Sequence, residues 1–208
     1  MTATTGLFLA LEGLDGSGGT TQLNRLAVRI GALAPERELV LTREPSDGPV
    51  GRLIRAQLLD GEVGDGVLPY LFAADRRDHL DRVVLPALKR GAVVLSDRYA
   101  LSSFAYQSEA AGMERVLALN ADFPAPTLTL MLDLDPERAV ERVVRRGQAM
   151  DRFENLGRQR RVAAGYERAL AAVAERGWTV TRIDASQTVD GVAAAVWRAV
   201  GPLLGVRA

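Results

Sequence analysis

Leu7-Phe8-Leu9-Ala10-Leu11, followed after Glu12 by Gly13-Leu14-Asp15-Gly16-Ser17-Gly18-Gly19-Thr20, is the stretch on which the reading of this chain turns. An apolar run gives way to a glycine-rich turn, and the turn opens onto Leu23, Leu26, Ala27 and Ile30, spaced as one face of a helix. Backbone N–H groups at a helix start have no intrahelical partners, and with the helix dipole they form an anion site. Gly16, Gly18 and Gly19 let the chain curl so that several N–H groups converge on one phosphate. The pattern G-x-x-x-x-G-K-[ST] is met at Gly13, Gly18 and Thr20, with Thr20 placed to offer its hydroxyl to magnesium. Its lysine position holds Gly19. The strand, loop and helix predict a nucleotide phosphate cradle that lacks its point charge. Either the charge comes from another segment, or catalysis is lost.

Composition narrows the choice. The 26 basic residues include one lysine, Lys89, so drift in composition would place arginine at position 19 rather than glycine. With 26 acidic residues the net charge is zero, and no polyanionic partner such as nucleic acid is expected. Hydrophobic residues make up 48% and charged residues 25%, ordinary for a soluble globular chain. There are no cysteines, which excludes disulfides and thiolate metal sites. No signal-like segment is visible at the N-terminus, and no apolar run approaches the ~20 residues that span a bilayer. A cytoplasmic protein without membrane association is expected. The one histidine, His79, lies in a charged run and is expected to be solvated.

Short apolar runs alternate with helical stretches, the pattern of an α/β fold. Strands are expected at Leu7–Leu11, Leu39–Leu41, Ala92–Leu95, Leu128–Leu132 and Thr179–Ile183. Their lack of polar alternation suits a five-stranded parallel sheet covered on both faces. Helices are expected near Thr20–Leu33, Pro49–Leu59, Pro69–Lys89, Pro136–Arg146, Gly157–Arg176 and Val189–Leu204. No linker or repeat is visible, so residues 1–208 read as one domain. Polar clusters follow each strand: Asp15, Arg43-Glu44, Asp97-Arg98-Tyr99, Asp133 with Asp135, and Asp184. In a parallel sheet these converge on the edge where ligands bind.

The clusters in order, Leu11 to Gly18, Thr42-Arg43-Glu44-Pro45, Leu71-Phe72-Ala73-Ala74-Asp75-Arg76, Ser96-Asp97-Arg98-Tyr99, Ser102-Ser103-Phe104-Ala105-Tyr106-Gln107 and Asp151-Arg152-Phe153-Glu154, resemble the thymidylate kinase family over nearly the whole chain. The resemblance implies a P-loop NTPase-type three-layer fold and an enzyme that uses ATP and Mg2+ to phosphorylate dTMP, generally as a homodimer. Gly13, Asp15, Gly16, Ser17, Gly18, Gly19, Thr20 and Thr21 would then hold the ATP phosphates. Thr20 and Asp97 would hold the metal. Phe72 would stack on thymine while Arg76, four residues on and on the same helix face, reaches a carbonyl of the base. Arg98 would grip the dTMP phosphate as a guanidinium fork, with Asp15 between the donor and acceptor phosphates. Glu44, Pro45, Arg55, Ser103, Tyr106 and Gln107 would complete the acceptor pocket, Tyr106 crowding out a 2′-hydroxyl.

From Glu137 to Arg168 the chain carries nine arginines against five carboxylates. The resemblance implies an Arg-rich lid over ATP at about residues 145–156, built around Gly147-Gln148-Ala149-Met150, and makes Arg142, Arg146 and Arg152 candidates for the absent lysine's charge. Two other readings stay open: a relative that binds nucleotide without turnover, supported by Gly19 alone, and a kinase of another pyrimidine nucleotide.

Overall fold

The computed structural model describes residues 6–61, 63, 64, 66–145 and 152–206, with backbone alone at 60 and 152–155. Five strands form one sheet: β1 Leu7–Gly13, β2 Leu39–Arg43, β3 Val93–Asp97, β4 Leu128–Asp133 and β5 Val180–Asp184, in the order β2-β3-β1-β4-β5. Every pairing is parallel. The central strands β1, β3 and β4 are buried along nearly their whole length, as their unbroken apolar runs require.

Register, more than sequence distance, brings the site together. Leu11 lies across from Asp97, Asp97 from Arg43, and Gly13 from Leu132. The carboxyl ends of β2, β3 and β1 therefore open side by side beneath the loop after β1. The strand order reverses at β1, and a crevice at that point is where open α/β sheets bind ligands.

The helices are α1 Gly19–Leu33, α2 Pro49–Asp60, α3 Leu68–His79, α4 Leu85–Lys89, α5 Ala100–Ala111, α6 Met113–Leu119, α7 Pro136–Arg145, α8 Arg152–Ala174 and α9 Val189–Val200. The helix expected from Pro69 to Lys89 runs without a break from Leu68 to Lys89, with a π turn at Leu80–Val84 between α3 and α4. Pro86 has no N–H to donate, and the Leu85 N–H reaches back to the Leu80 carbonyl, so the ladder widens where the proline enters. The helices α5 and α6 were not expected from the sequence. The first is buried on several faces at once, at Ala100, Leu101, Ser103, Phe104, Ala105, Gln107 and Ser108, which erases the amphipathic signature.

His79 is a correction. It is 2% exposed, its Nδ1 donates to Glu44 Oε1 at 3.1 Å, and its Nε2 lies 2.6 Å from Thr42 Oγ1. Asp75 and Arg76 are buried on the same face of α3, and Arg77 is exposed.

Candidate functional site

The glycine-rich loop is held open by its backbone. Gly13, Gly16 and Gly18 have φ of 151°, 93° and 99°, which L side chains rarely adopt. Gly16 also packs so closely on α7 that a Cβ would sit 2.4 Å from the Ala139 carbonyl oxygen. The loop, from Gly13 through Thr21, lines a cavity of about 500 Å³ closed by Arg43, Asp97, Arg98, Arg158 and Gln159. A second cavity, of about 550 Å³, adjoins it and is lined by Phe72, Arg76, Ser103, Tyr106 and Gln107, with Glu44 and Pro45 at its wall. The two share Asp15, Glu44, Arg98, Tyr106, Arg158 and Val162.

Arg98 stands at the junction. Its φ of 74° is unusual for a residue with a side chain. The conformation is held by its N–H donating to the Leu11 carbonyl at 2.9 Å. Its Nη1 donates to the Gly13 carbonyl, Ser102 Oγ and Tyr166 Oη at 3.1–3.2 Å, and its Nη2 to Asp15 Oδ1 at 2.5 Å. Burial works against the guanidinium charge, but Tyr106, Tyr166, Asp15 and Glu12 overcome it and hold the charge well above its ordinary range.

Beneath Arg98 lies a residue that sequence reading passed over. Glu12 is buried and accepts from the Tyr99 N–H at 2.8 Å, the Ser102 N–H at 3.2 Å and Ser102 Oγ at 2.5 Å. Tyr166 Oη lies 3.1 Å from both Glu12 Oε2 and the Gly13 carbonyl, and receives the Gly13 N–H at 3.3 Å. Burial pushes the Glu12 carboxyl up to about 7, against the opposing pull of Ser102, Arg98 and the Tyr99 N–H. A carboxylate inside an otherwise apolar strand was the signal available. Tyr166 carried none, because 153 residues separate it from Gly13.

The acceptor-side residues fall in the second cavity, and their bonding is uneven. The Arg76 guanidinium is buried, donating from Nε and Nη2 to Glu44 Oε2 at 2.9 and 2.7 Å, from Nη2 to Ser103 Oγ at 3.0 Å, and from Nη1 to Asn120 Oδ1. One of its N–H donors remains for a ligand. Tyr106 Oη and Gln107 Oε1 are buried with no hydrogen-bond partner among the described residues. Buried polar atoms are nearly always paired, and these two belong to residues that line the second cavity, where a ligand could supply partners. Burial also pushes the Tyr106 phenol up to about 12, so it is a neutral donor.

Thr20 Oγ1 donates to Asp97 Oδ2 at 2.5 Å at the mouth of the loop cavity. A hydroxyl and a carboxylate are the hard oxygen donors magnesium takes. Among the described residues no group of three or more His, Asp or Glu could hold a metal. The set therefore suits an ion bound mainly through phosphate oxygens and waters.

Other expected residues lie elsewhere. Arg55 donates to the Pro45 carbonyl at 2.7 Å and pairs with Asp47, behind the cavity wall. Arg142 donates to the Ala185 carbonyl at 3.0 Å and lines neither cavity. Arg146 and the side chain of Arg152, with most of the expected lid, lie outside the described residues. Three strand-end acids line neither cavity: Asp133 pairs with Arg182, Asp135 accepts from the first N–H groups of α7, and Asp184 accepts from the Ser186 N–H.

The model of the family described as thymidylate kinase matches residues 11–196. The chain is similar to a probable thymidylate kinase of Pyrobaculum aerophilum, 43% identical over 192 residues that cover 91% of this chain and 93% of the relative. It is also similar to the thymidylate kinase of Solidesulfovibrio magneticus, 38% identical over 95% of this chain and 100% of the relative. A third, from Pelotomaculum thermopropionicum, is 41% identical over 88% of this chain and 87% of the relative.

Proposed function

The chain belongs to the thymidylate kinase family, and from that premise we propose that it transfers the γ-phosphoryl group of ATP to dTMP, giving ADP and dTDP, with magnesium as cofactor. The observation that carries this reading is the pair of adjoining cavities: a glycine-loop cradle on one side, a pocket with an aromatic ring and unpaired Tyr106 and Gln107 atoms on the other, and Arg98 and Asp15 on their common wall.

Each part then has a task. Gly13, Gly16, Ser17, Gly18, Gly19, Thr20 and Thr21 hold the ATP phosphates through backbone N–H groups and hydroxyls. Phe72 takes one face of thymine, and Arg76, kept in place by Glu44 and Ser103, donates to its edge. Tyr106 and Gln107 address the sugar and base, Pro45 shapes the pocket wall, and Arg55 buttresses it. Arg98 grips the acceptor phosphate, and Asp15, paired with it, lies between the two substrates. Thr20 and Asp97 would hold magnesium, which neutralises charge on the β and γ oxygens. Little covalent chemistry falls to the protein; catalysis is positioning and charge neutralisation.

Gly19 leaves the lysine's charge unsupplied by the loop, and arginines of the α7–α8 segment, with Arg142, Arg146 and Arg152 as candidates, compensate. The acceptor side is complete, which a decayed kinase would not be expected to retain. A homodimer in the cytoplasm is part of the same proposal; a solution mass of 22.4 kDa would remove the dimer.

The test is a substrate panel on purified protein, with dTMP, dUMP, TMP and thymidine compared by kcat/KM with and without magnesium. We expect dTMP to lead and magnesium to be required. Binding of dTMP and ATP without dTDP would favour the non-catalytic reading that Gly19 alone supports.

A further inference from the structure

Of the residues common to the two cavities, two are cations: Arg98 and Arg158. Their situations are opposite. Arg98 is committed to the Gly13 carbonyl, Ser102, Tyr166 and Asp15. Arg158 is exposed, and no hydrogen bond or ion pair joins it to another described residue. Neighbouring arginines on α8 are engaged differently: Arg160 pairs with Glu137 at 2.6 Å and Arg161 with Glu109 at 3.5 Å. A guanidinium with no counter-charge among the described residues, at the meeting point of the two cavities, is free to face an anion there.

The helix aims it there. Arg158, Val162 and Tyr166 are spaced four residues apart and form one stripe of α8. Val162 lines both cavities, and Tyr166 is bonded to both the N–H and the carbonyl of Gly13. Beside Arg158, Gln159 Nε2 donates to the Asp15 carbonyl at 3.3 Å. The stripe thus ties Arg158 to the phosphate loop by rigid structure, as a charge that must stabilise a transition state requires. On the loop side, Gly19 offers no charge, and the space a Cβ would take there ends 3.2 Å from Asp97 Oδ1.

We propose that Arg158 is a catalytic residue that supplies, from the opposite wall, the positive charge the loop lacks at Gly19, by contacting the phosphoryl group in transfer. The inference rests on the phosphoryl transfer proposed above. In that step an oxygen of the dTMP phosphate attacks the γ-phosphorus of ATP. The new P–O bond forms as the bond to the β–γ bridging oxygen breaks, and the electron pair leaves with ADP. Both phosphates are ionised, so no proton need move. Negative charge collects on the γ-phosphoryl oxygens between the two cavities, where Arg158 faces them.

The experiment compares wild type, Arg158→Ala, Arg158→Lys, Gly19→Lys and the double variant Arg158→Ala/Gly19→Lys by steady-state kinetics. Beside it, calorimetry measures the affinity of ADP plus dTMP with and without aluminium fluoride, a planar phosphoryl mimic. Arg158→Ala should lower kcat by at least about 100-fold while both KM values change little. Its preference for the fluoride-bound state should fall in parallel, with ADP affinity unchanged. Arg158→Lys should recover part of the rate. Gly19→Lys should raise kcat far more in the Arg158→Ala background than in wild type, because the two charges serve one task. Wild-type kcat in Arg158→Ala, or equal effects of Gly19→Lys in both backgrounds, overturns the assignment while leaving the kinase reading intact. A wild-type protein that makes no dTDP overturns both.

Discussion

Glu12 is a carboxyl placed where carboxylates are costly, and its titration gives the molecule a pH signature. The rise from 4.5 to about 7 means that the folded protein holds the Glu12 proton more tightly than the unfolded chain. The associated stability is fully present below about pH 4.5 and is lost as pH rises to about 7. The full window corresponds to about 3 kcal/mol. Glutamine keeps an acceptor for the Tyr99 and Ser102 N–H groups and offers an amide to Ser102 and Tyr166. Denaturant melts of wild type and Glu12→Gln at pH 5 and pH 8 should therefore show the variant gaining on wild type at the higher pH, by up to about 3 kcal/mol. An unchanged difference between the two pH values would mean that Glu12 stays ionised throughout. Residues at this scale were legible from the sequence where a motif carried them. Asp97, Arg98 and the loop glycines stand at the strand end and turn expected of them. Glu12, Tyr166 and Arg158 were not legible as parts of a site: the partners of Glu12 and Tyr166 are distant in sequence, and Arg158 reaches the cavities only through the packing of α8.

Elements were read best where burial is one-sided or complete in a regular way. All five strands lie where their apolar runs placed them, to within two residues. The failure is physical: α5 is buried on too many sides to show a period, whereas the helix expected over Pro69–Lys89 is continuous and only its π turn before Pro86 went unread. The contact that matters most at this scale, between α5 and α8, has no sequence pattern at all. Gly165 sits so close to α5 that a Cβ would lie 2.2 Å from the Ala105 carbonyl oxygen, with the Ala105 backbone carbon at 3.0 Å. Those are backbone atoms, so the helices must part. Gly165→Ala should cost about 1–3 kcal/mol from overpacking, despite the roughly 1 kcal/mol of helix propensity that alanine adds. Because Tyr166 and Arg158 ride on α8, kcat should fall at temperatures where the variant is still folded. Urea melts paired with assays separate the two effects, and a Gly165→Ala protein as stable as wild type would show that the helices tolerate the separation.

Across the whole molecule, the parallel sheet sorts chemistry by end. The loop, Asp97 and Arg43 gather at the carboxyl edge of the strands, whereas Lys89 closes α4 just before β3 begins, at the opposite edge. A five-residue strand spans about 17 Å, which places the one lysine of the sequence a sheet's height from the phosphate loop. Its charge is too remote, and in water too screened, to act on a transferring phosphoryl group. On the proposed reading, the phosphate chemistry runs on guanidinium groups, main-chain N–H groups, hydroxyls and metal, with no lysine. Acylation of amines, which neutralises Lys89, should leave kcat and both KM values within about twofold of the untreated protein. An arginine-directed dicarbonyl should abolish turnover, and ATP with dTMP should slow that loss by covering Arg158 and Arg98. Mass spectrometry fixes which side chains have reacted. Loss of activity in step with modification of Lys89 would place a lysine in the reaction after all, and would require a second copy of the chain to bring its Lys89 to this site, since no fold-preserving movement within one sheet could.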